Sequence, residues 1–216
     1  MKIFGKRELL LISLIILTFI VGVSLYPNLP ERLPSHWNAK GEIDSWSGKN
    51  FAIFFYPFFT LGMYLLLTFV PLIDPLRKNY AKFAKPYFLF RTVFVSFFLF
   101  LYLYTLWAGL GTKININYFI PPVFSFFFIF IGLFLPKVKK NYFVGIRTPW
   151  TIHSEEVWDK THKFGGKVFV VAGLISLLGS LFPNYIFWIF IIPILSAALI
   201  SVVYSYFAFR KIKRFN

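Results

Sequence analysis

The chain has 216 residues; 58% are hydrophobic, 23% aromatic and only 14% charged, yet its formal net charge is +15. Disorder requires low hydrophobicity, and a water-soluble core of this size cannot hide 31 Phe beside so much Leu and Ile. Without cysteine there is no disulfide framework, thiolate zinc site or Cys nucleophile.

Five windows hold no Asp, Glu, Lys or Arg: 9–30, 50–73, 92–112, 114–136 and 168–209. A helix rises about 1.5 Å per residue, so about 20 residues cross a hydrocarbon core of ~30 Å. The first four windows hold one span each. The fifth is about twice as long and is split by Leu181-Phe182-Pro183-Asn184-Tyr185, a turn signal. The fold class expected is therefore all-α, a bundle of six transmembrane helices at roughly 8–26, 51–73, 89–110, 118–135, 168–182 and 185–208. A cleaved signal peptide is the rival for the first span, because Lys2, Lys6 and Arg7 form a basic leader. The Leu/Ile run is long for that role, and Val21-Gly22-Val23 is a weak cleavage site. Two regions are expected: 1–75, with two spans and an outer loop at 27–50, and 76–216, with four spans and an inner loop at 136–167.

An ionisable group near the bilayer centre costs ~2.5–3.5 kcal/mol and is normally kept for ion or proton chemistry; none is expected inside these spans. Their polar groups are hydroxyls such as Thr18, Thr60, Thr68, Thr105, Ser125, Ser176 and Ser201, whose ordinary role is a bond to the preceding turn or a neighbouring helix. Pro57 and Pro193 mark kinks. The two halves show no similarity that would indicate an inverted-repeat transporter.

Sorting the basic residues by loop places 19 of the 23 on one side, with only Arg32, Lys40, Lys49 and Lys113 on the other. The positive-inside rule then puts both termini in the cytoplasm of a multi-pass plasma-membrane protein. The same asymmetry accounts for the high charge without direct binding of nucleic acid, for which no recognition module is present.

The outer loop begins with Pro27, Pro30 and Pro34, which hold it extended. Asn38-Ala39-Lys40-Gly41 reads as a tight turn with Gly41 at positive φ, and Trp37 and Trp46 flank it as interfacial anchors. As a recognition surface it would centre on His36 and Trp37. His36 with Glu31, Glu42 and Asp44 matches no metal-ligand spacing.

The inner loop carries more local signals. Ser154 is an N-cap followed by Glu155 and Glu156, Lys160 and Lys163 sit in a last turn, and Gly165-Gly166 can end the helix. This is read as a short amphipathic helix, with Val157, Trp158, Thr161 and Phe164 on one face, suited to the membrane surface or a partner. Glu156–Lys160 and Asp159–Lys163 are favourable pairs. Upstream, Thr148 and Pro149 start a further short helical piece. His153 and His162 lack the H-E-x-x-H pattern, there is no nucleophile elbow, and no cofactor motif occurs. For His162 the ordinary reading is capping or packing beside Trp158, one turn back.

Here the sequence resembles the SdpI-type immunity family of membrane proteins. The stretch Asn141-Tyr-Phe-Val-Gly-Ile-Arg-Thr-Pro-Trp-Thr151, then Ser154-Glu-Glu-Val-Trp158 and Thr161-His-Lys-Phe-Gly-Gly166, looks like that family's signature. Its matching residues are Asn141, Gly145, Arg147, Thr148, Pro149, Thr151, Glu156, Trp158, His162, Gly165 and Gly166. Leu33-Pro-Ser-His-Trp-Asn-Ala-Lys-Gly41 with Trp46 looks like a small domain of unknown function that often precedes it; there Pro34, His36, Trp37, Asn38, Gly41 and Trp46 match. The resemblance implies a polytopic, non-catalytic protein without cofactors. Its relatives protect the producing cell from a secreted killing peptide that dissipates the membrane potential, and hold a small cytoplasmic repressor at the membrane when the toxin is present. The partners so implied are the lipid bilayer, an extracellular peptide toxin and a cytoplasmic repressor. A small-solute transporter or channel using hydroxyls and loop residues is the alternative from another class. A membrane-embedded enzyme at the inner face is a third; it requires His153, Glu156, Asp159 and His162 to converge on one cleft.

Overall fold

A computed structural model of the chain describes residues 6–112, 116–182 and 185–215. The readings placed on Lys2, Lys113 and the Pro183-Asn184 turn lie outside the described residues.

Among the described residues, six helices, counted with the 3-10 turns that continue them, are long and apolar enough to cross a membrane. They are α1 (Lys6–Leu25), α2 (Lys49–Ile73), α3 (Ala84–Gly109), α4 (Ile120–Phe134), α6 (Glu155–Leu178) and α7 (Ile186–Phe215). A one-turn-and-a-half helix, α5 (Pro149–His153), precedes α6. Short 3-10 turns extend α4 at both ends, and a 3-10 stretch, Arg77–Phe83, leads into α3.

The all-α expectation omits a hairpin between α1 and α2. Strands β1 (Arg32–Trp37) and β2 (Ile43–Gly48) pair antiparallel, with irregular register around His36. The turn forms where the sequence placed it: Gly41 N–H donates to the Asn38 carbonyl (2.9 Å), and Gly41 has φ +80°. The Asn38 carboxamide oxygen accepts from the Lys40 and Glu42 amides at 2.9 and 3.1 Å, substituting for backbone partners. Pro34 is compatible with the strand because the hairpin has only two strands, so each is an edge.

The larger correction concerns the inner loop. Glu155 begins a single 24-residue helix that continues through Gly165-Gly166 to Leu178. The short amphipathic helix and the fifth span expected at 168–182 are one element. Its apolar face does not lie on a membrane surface: Val157, Trp158 and Thr161 are completely buried. The glycines do not end the helix because tertiary packing uses them. A Cβ on Gly166 would approach the Gly132 carbonyl of α4 to 2.6 Å, and one on Gly173 would meet Ile129 at 2.6 Å. Backbone approach of this kind is what small residues permit between membrane helices.

The chain forms two compact units, Met1–Phe69 with Arg91–Tyr118, and Val70–Phe90 with Phe119–Asn216. In the first, bulky aromatics space α1, α2 and α3. Phe19 lies against Phe54 and Phe58 at 5.9 and 6.0 Å, while Gly22 leaves room for the Tyr102 hydroxyl. That hydroxyl donates to the Ile53 carbonyl at 3.2 Å. Pro57, four residues on, has no N–H to give that carbonyl, so Tyr102 replaces the bond the proline removes. In the second unit, α6 packs on both α4 and α7. The core here gathers Tyr80, Phe83, Tyr87, Phe134, Val138 and Trp158.

Candidate functional site

The signature loop, residues 138–148, is nearly devoid of regular structure, so its backbone groups need partners from side chains. Asn141 supplies most of them. It is fully buried; its carboxamide oxygen accepts from the Phe143 and Val144 amides (2.9 and 2.7 Å), and its nitrogen donates to the Lys139 and Val144 carbonyls (2.8 and 2.9 Å). The loop is then tied to the stretch after α2. Asp74, also buried, accepts from the Leu76 amide (2.7 Å), the Tyr142 amide (2.9 Å) and the Tyr80 hydroxyl (3.1 Å). The same hydroxyl lies 3.2 Å from the Asn141 oxygen, and Asn79 donates to the Lys140 carbonyl at 2.8 Å. A buried carboxylate with three donors meets the requirement that a charge out of water be fully hydrogen-bonded.

The far end of the loop rests on α6. The Trp158 indole N–H donates to the Val138 carbonyl (2.9 Å), and its ring stacks on His162 with centroids 4.0 Å apart. His162 Nε2 accepts from the Ile146 amide at 3.0 Å, while Nδ1 lies 2.8 Å from the Trp158 carbonyl. An amide can only donate and a carbonyl only accept, so these two bonds assign the Nδ1–H tautomer. Gly145, with φ +116°, passes so close that any Cβ there would collide with His162 Nε2. The sequence placed His162 beside Trp158; its role as an acceptor for the loop was not read.

Thr148 caps α5. Thr148 Oγ1 accepts from the Thr151 amide (3.2 Å), Thr151 Oγ1 accepts from the Thr148 amide (2.9 Å), and Thr148 Oγ1 sits 3.0 Å from Ser205 Oγ of α7. Pro149 occupies the first helical position, where no N–H is needed. Ser154 then caps α6, accepting from the Val157 amide at 3.3 Å. Gly165, three turns further along α6, lets Ile146 of the loop approach, because a Cβ there would strike Ile146 at 2.5 Å.

The motif thus divides in two. Asn141, Gly145, Thr148, Pro149, Thr151, Trp158, His162, Gly165 and Gly166 build the scaffold, whereas Arg147 and Glu156 are exposed. Arg147 donates to the Tyr142 carbonyl at 2.8 Å, and Glu156 pairs with Lys160 at 2.6 Å. Asp159 pairs with Lys139 at 3.9 Å in place of the expected Lys163. The four residues required by an inner-face enzyme do not converge: His153 meets the edge of Phe209, Glu156 and Asp159 take separate lysines, and His162 is committed to the loop. Several span hydroxyls bond within their own helices, as Thr60 does to Tyr56 (2.8 Å) and Ser201 to Ala197 (2.7 Å), while Ser176 also reaches the Phe190 carbonyl of α7 (3.1 Å).

In the first unit, the hairpin presents His36 Nδ1 at 2.6 Å from Asp44, with His36 largely exposed. Trp37 packs on Tyr104 with centroids 5.7 Å apart, Pro34 is buried, and Trp46 is exposed opposite it. A second group escaped the sequence reading. Glu8 in α1, Tyr64 in α2 and Arg91, two turns into α3, are all buried. Arg91 ion-pairs with Glu8, Tyr64 donates to Glu8 at 2.8 Å, and the guanidinium lies 5.5 Å from the Tyr64 ring centre. Helix ends do carry buried ionisable groups, therefore. Three features signalled them: Glu8 and Asp74 are the only acids in their basic segments, and Arg91 falls within an aromatic run.

The chain matches the SdpI/YfhL protein family over residues 137–205, which cover the signature loop, α5, α6 and most of α7. A domain of unknown function, DUF1648, matches residues 13–61, which hold the hairpin. The immunity protein SdpI of Bacillus subtilis (strain 168) is 32% identical over 208 residues, covering 96% of this chain and 98% of that one. No solved structure matches the chain.

Proposed function

Because this multi-pass membrane chain belongs to the SdpI family, we propose that it confers immunity to a membrane-active killing peptide and signals the peptide's presence by holding a small repressor at the membrane. The observation that carries this reading is end-to-end similarity to an immunity protein, running through both the hairpin and the signature loop. The charge asymmetry supports an orientation with both termini in the cytoplasm, the signature loop inside and the hairpin outside. In that orientation the hairpin, with His36 and Trp46 exposed, meets the peptide. The inner docking surface is the exposed polar side of the loop and α6: Arg147, Glu155, Glu156, Lys160 and Lys163. Trp158 takes no direct part in docking, since it is fully buried; it fixes the loop that presents Arg147.

The test is survival. A sensitive host expressing the chain and challenged with the family's killing peptide should outlive the empty-vector control, with the membrane potential retained. Equal killing in the two strains, at verified expression, removes the immunity reading. Arg147→Ala should leave immunity intact while releasing a co-expressed repressor from the membrane fraction, which separates the two functions.

A further inference from the structure

Two apolar clefts open on either side of Phe134 in the second unit. The larger, about 240 Å³, is lined by Phe90, Ile131, Leu135, Phe169 and the signature residues Gly145 and Ile146. The smaller, about 140 Å³, lies among Pro86, Leu89, Phe130 and Leu133, and Lys137 is the charged residue lining it. Lys85 immediately precedes Pro86. The segments 76–90 and 119–148, which supply all of the smaller cleft's lining and all of the larger one's but Phe169, carry eight basic residues and no acidic one. Lys139 takes Asp159, but Lys85 and Lys137 have no carboxylate partner among the described residues, and both are exposed.

Apolar slots flanked by unneutralised cations match the two halves of one kind of molecule. A peptide would bring backbone N–H and C=O groups that hydrocarbon walls leave unsatisfied. A free phosphate would engage the lysines but leave the clefts empty. An acyl chain fills such a cleft without polar cost, and its headgroup phosphate meets the lysines where basic pockets between membrane helices bind anionic lipid. We propose that this face binds an anionic glycerophospholipid, with one acyl chain on each side of Phe134 and the phosphate between Lys85 and Lys137.

The full chain, purified in neutral detergent, should be titrated by native mass spectrometry with dioleoylphosphatidylglycerol, dioleoylphosphatidylcholine and glycerol 3-phosphate. The expected result is preferential retention of phosphatidylglycerol over phosphatidylcholine and no retention of glycerol 3-phosphate. Lys137→Gln and Lys85→Gln should each reduce that preference roughly fivefold, with Lys40→Gln in the hairpin turn leaving it unchanged. Leu133→Trp, which fills the smaller cleft, should weaken both lipids. Equal retention of the two lipids would overturn the proposal, as would a preference indifferent to Lys85 and Lys137. Retention of glycerol 3-phosphate as strong as that of the lipid would show a phosphate site instead, and overturn it too.

Discussion

Asn141 organises the signature loop through one side chain that both donates and accepts, closing two backbone amides and two carbonyls that no helix or strand reaches. Removing it leaves the buried Val144 amide and carbonyl without partners, at ~1–3 kcal/mol apiece before relaxation. Asn141→Ala is expected to lower stability by on the order of 3 kcal/mol, read as a fall in unfolding midpoint in detergent. Loss of immunity should accompany it. The Glu8–Arg91–Tyr64 cluster makes a different prediction, because the cost there is that of an uncompensated charge. Glu8→Ala takes its carboxylate partner from a buried guanidinium and should cost about 3–5 kcal/mol, whereas the double change Glu8→Ala with Arg91→Met should restore most of it. A double variant no more stable than Glu8→Ala alone would show that the pair is not the source of the effect.

At the scale of elements, α6 combines two tasks that the sequence presents separately. Its first three turns hold the signature loop through Trp158 and His162, and its glycines then bring it against α4. The helix runs through Gly165-Gly166 because close packing there outweighs the roughly 1 kcal/mol that each glycine costs a helix. Gly166→Ala is expected to destabilise by about 1–3 kcal/mol through overpacking against Gly132 and Pro136. Gly62→Ala, inside α2 with nothing within 4 Å of the added carbon, should instead stabilise by about 0.5–1 kcal/mol, the helix-propensity gain alone. Thermal denaturation of the two variants side by side distinguishes contact from helix propensity. The Pro57–Tyr102 pairing follows the same logic: a defect in one helix is answered by a side chain from another.

For the molecule as a whole, the testable property is orientation. The chain contains no cysteine, so single cysteines report without background. In intact cells, a membrane-impermeant maleimide should label Lys40→Cys in the hairpin turn. Arg147→Cys in the signature loop should label only after the membrane is permeabilised. Labelling of Arg147→Cys in intact cells would reverse the orientation and move the proposed docking surface outside.

The six helices were legible because their signal is local and large: charge-free windows of about 20 residues have one physical solution in a bilayer. Caps and turns were legible for the same reason, since Ser154, Thr148 and Gly41 act on their own immediate neighbours. The site itself was legible only as a set of residues. That Asn141, Gly145 and His162 share one loop scaffold depends on contacts made across 16 or more positions, and Asp74 lies 68 residues from the amide it accepts. Glu8 and Arg91, 83 residues apart, each look like an ordinary charge at a helix end until the fold removes both from water. The sequence alone thus determined that the chain is a multi-pass membrane protein with six apolar stretches long enough to cross, because hydrocarbon penalises every exposed polar group independently. Only the tertiary structure decided which polar groups are partners, because a buried hydrogen bond belongs to a pair and the chain brings the pair together only by folding.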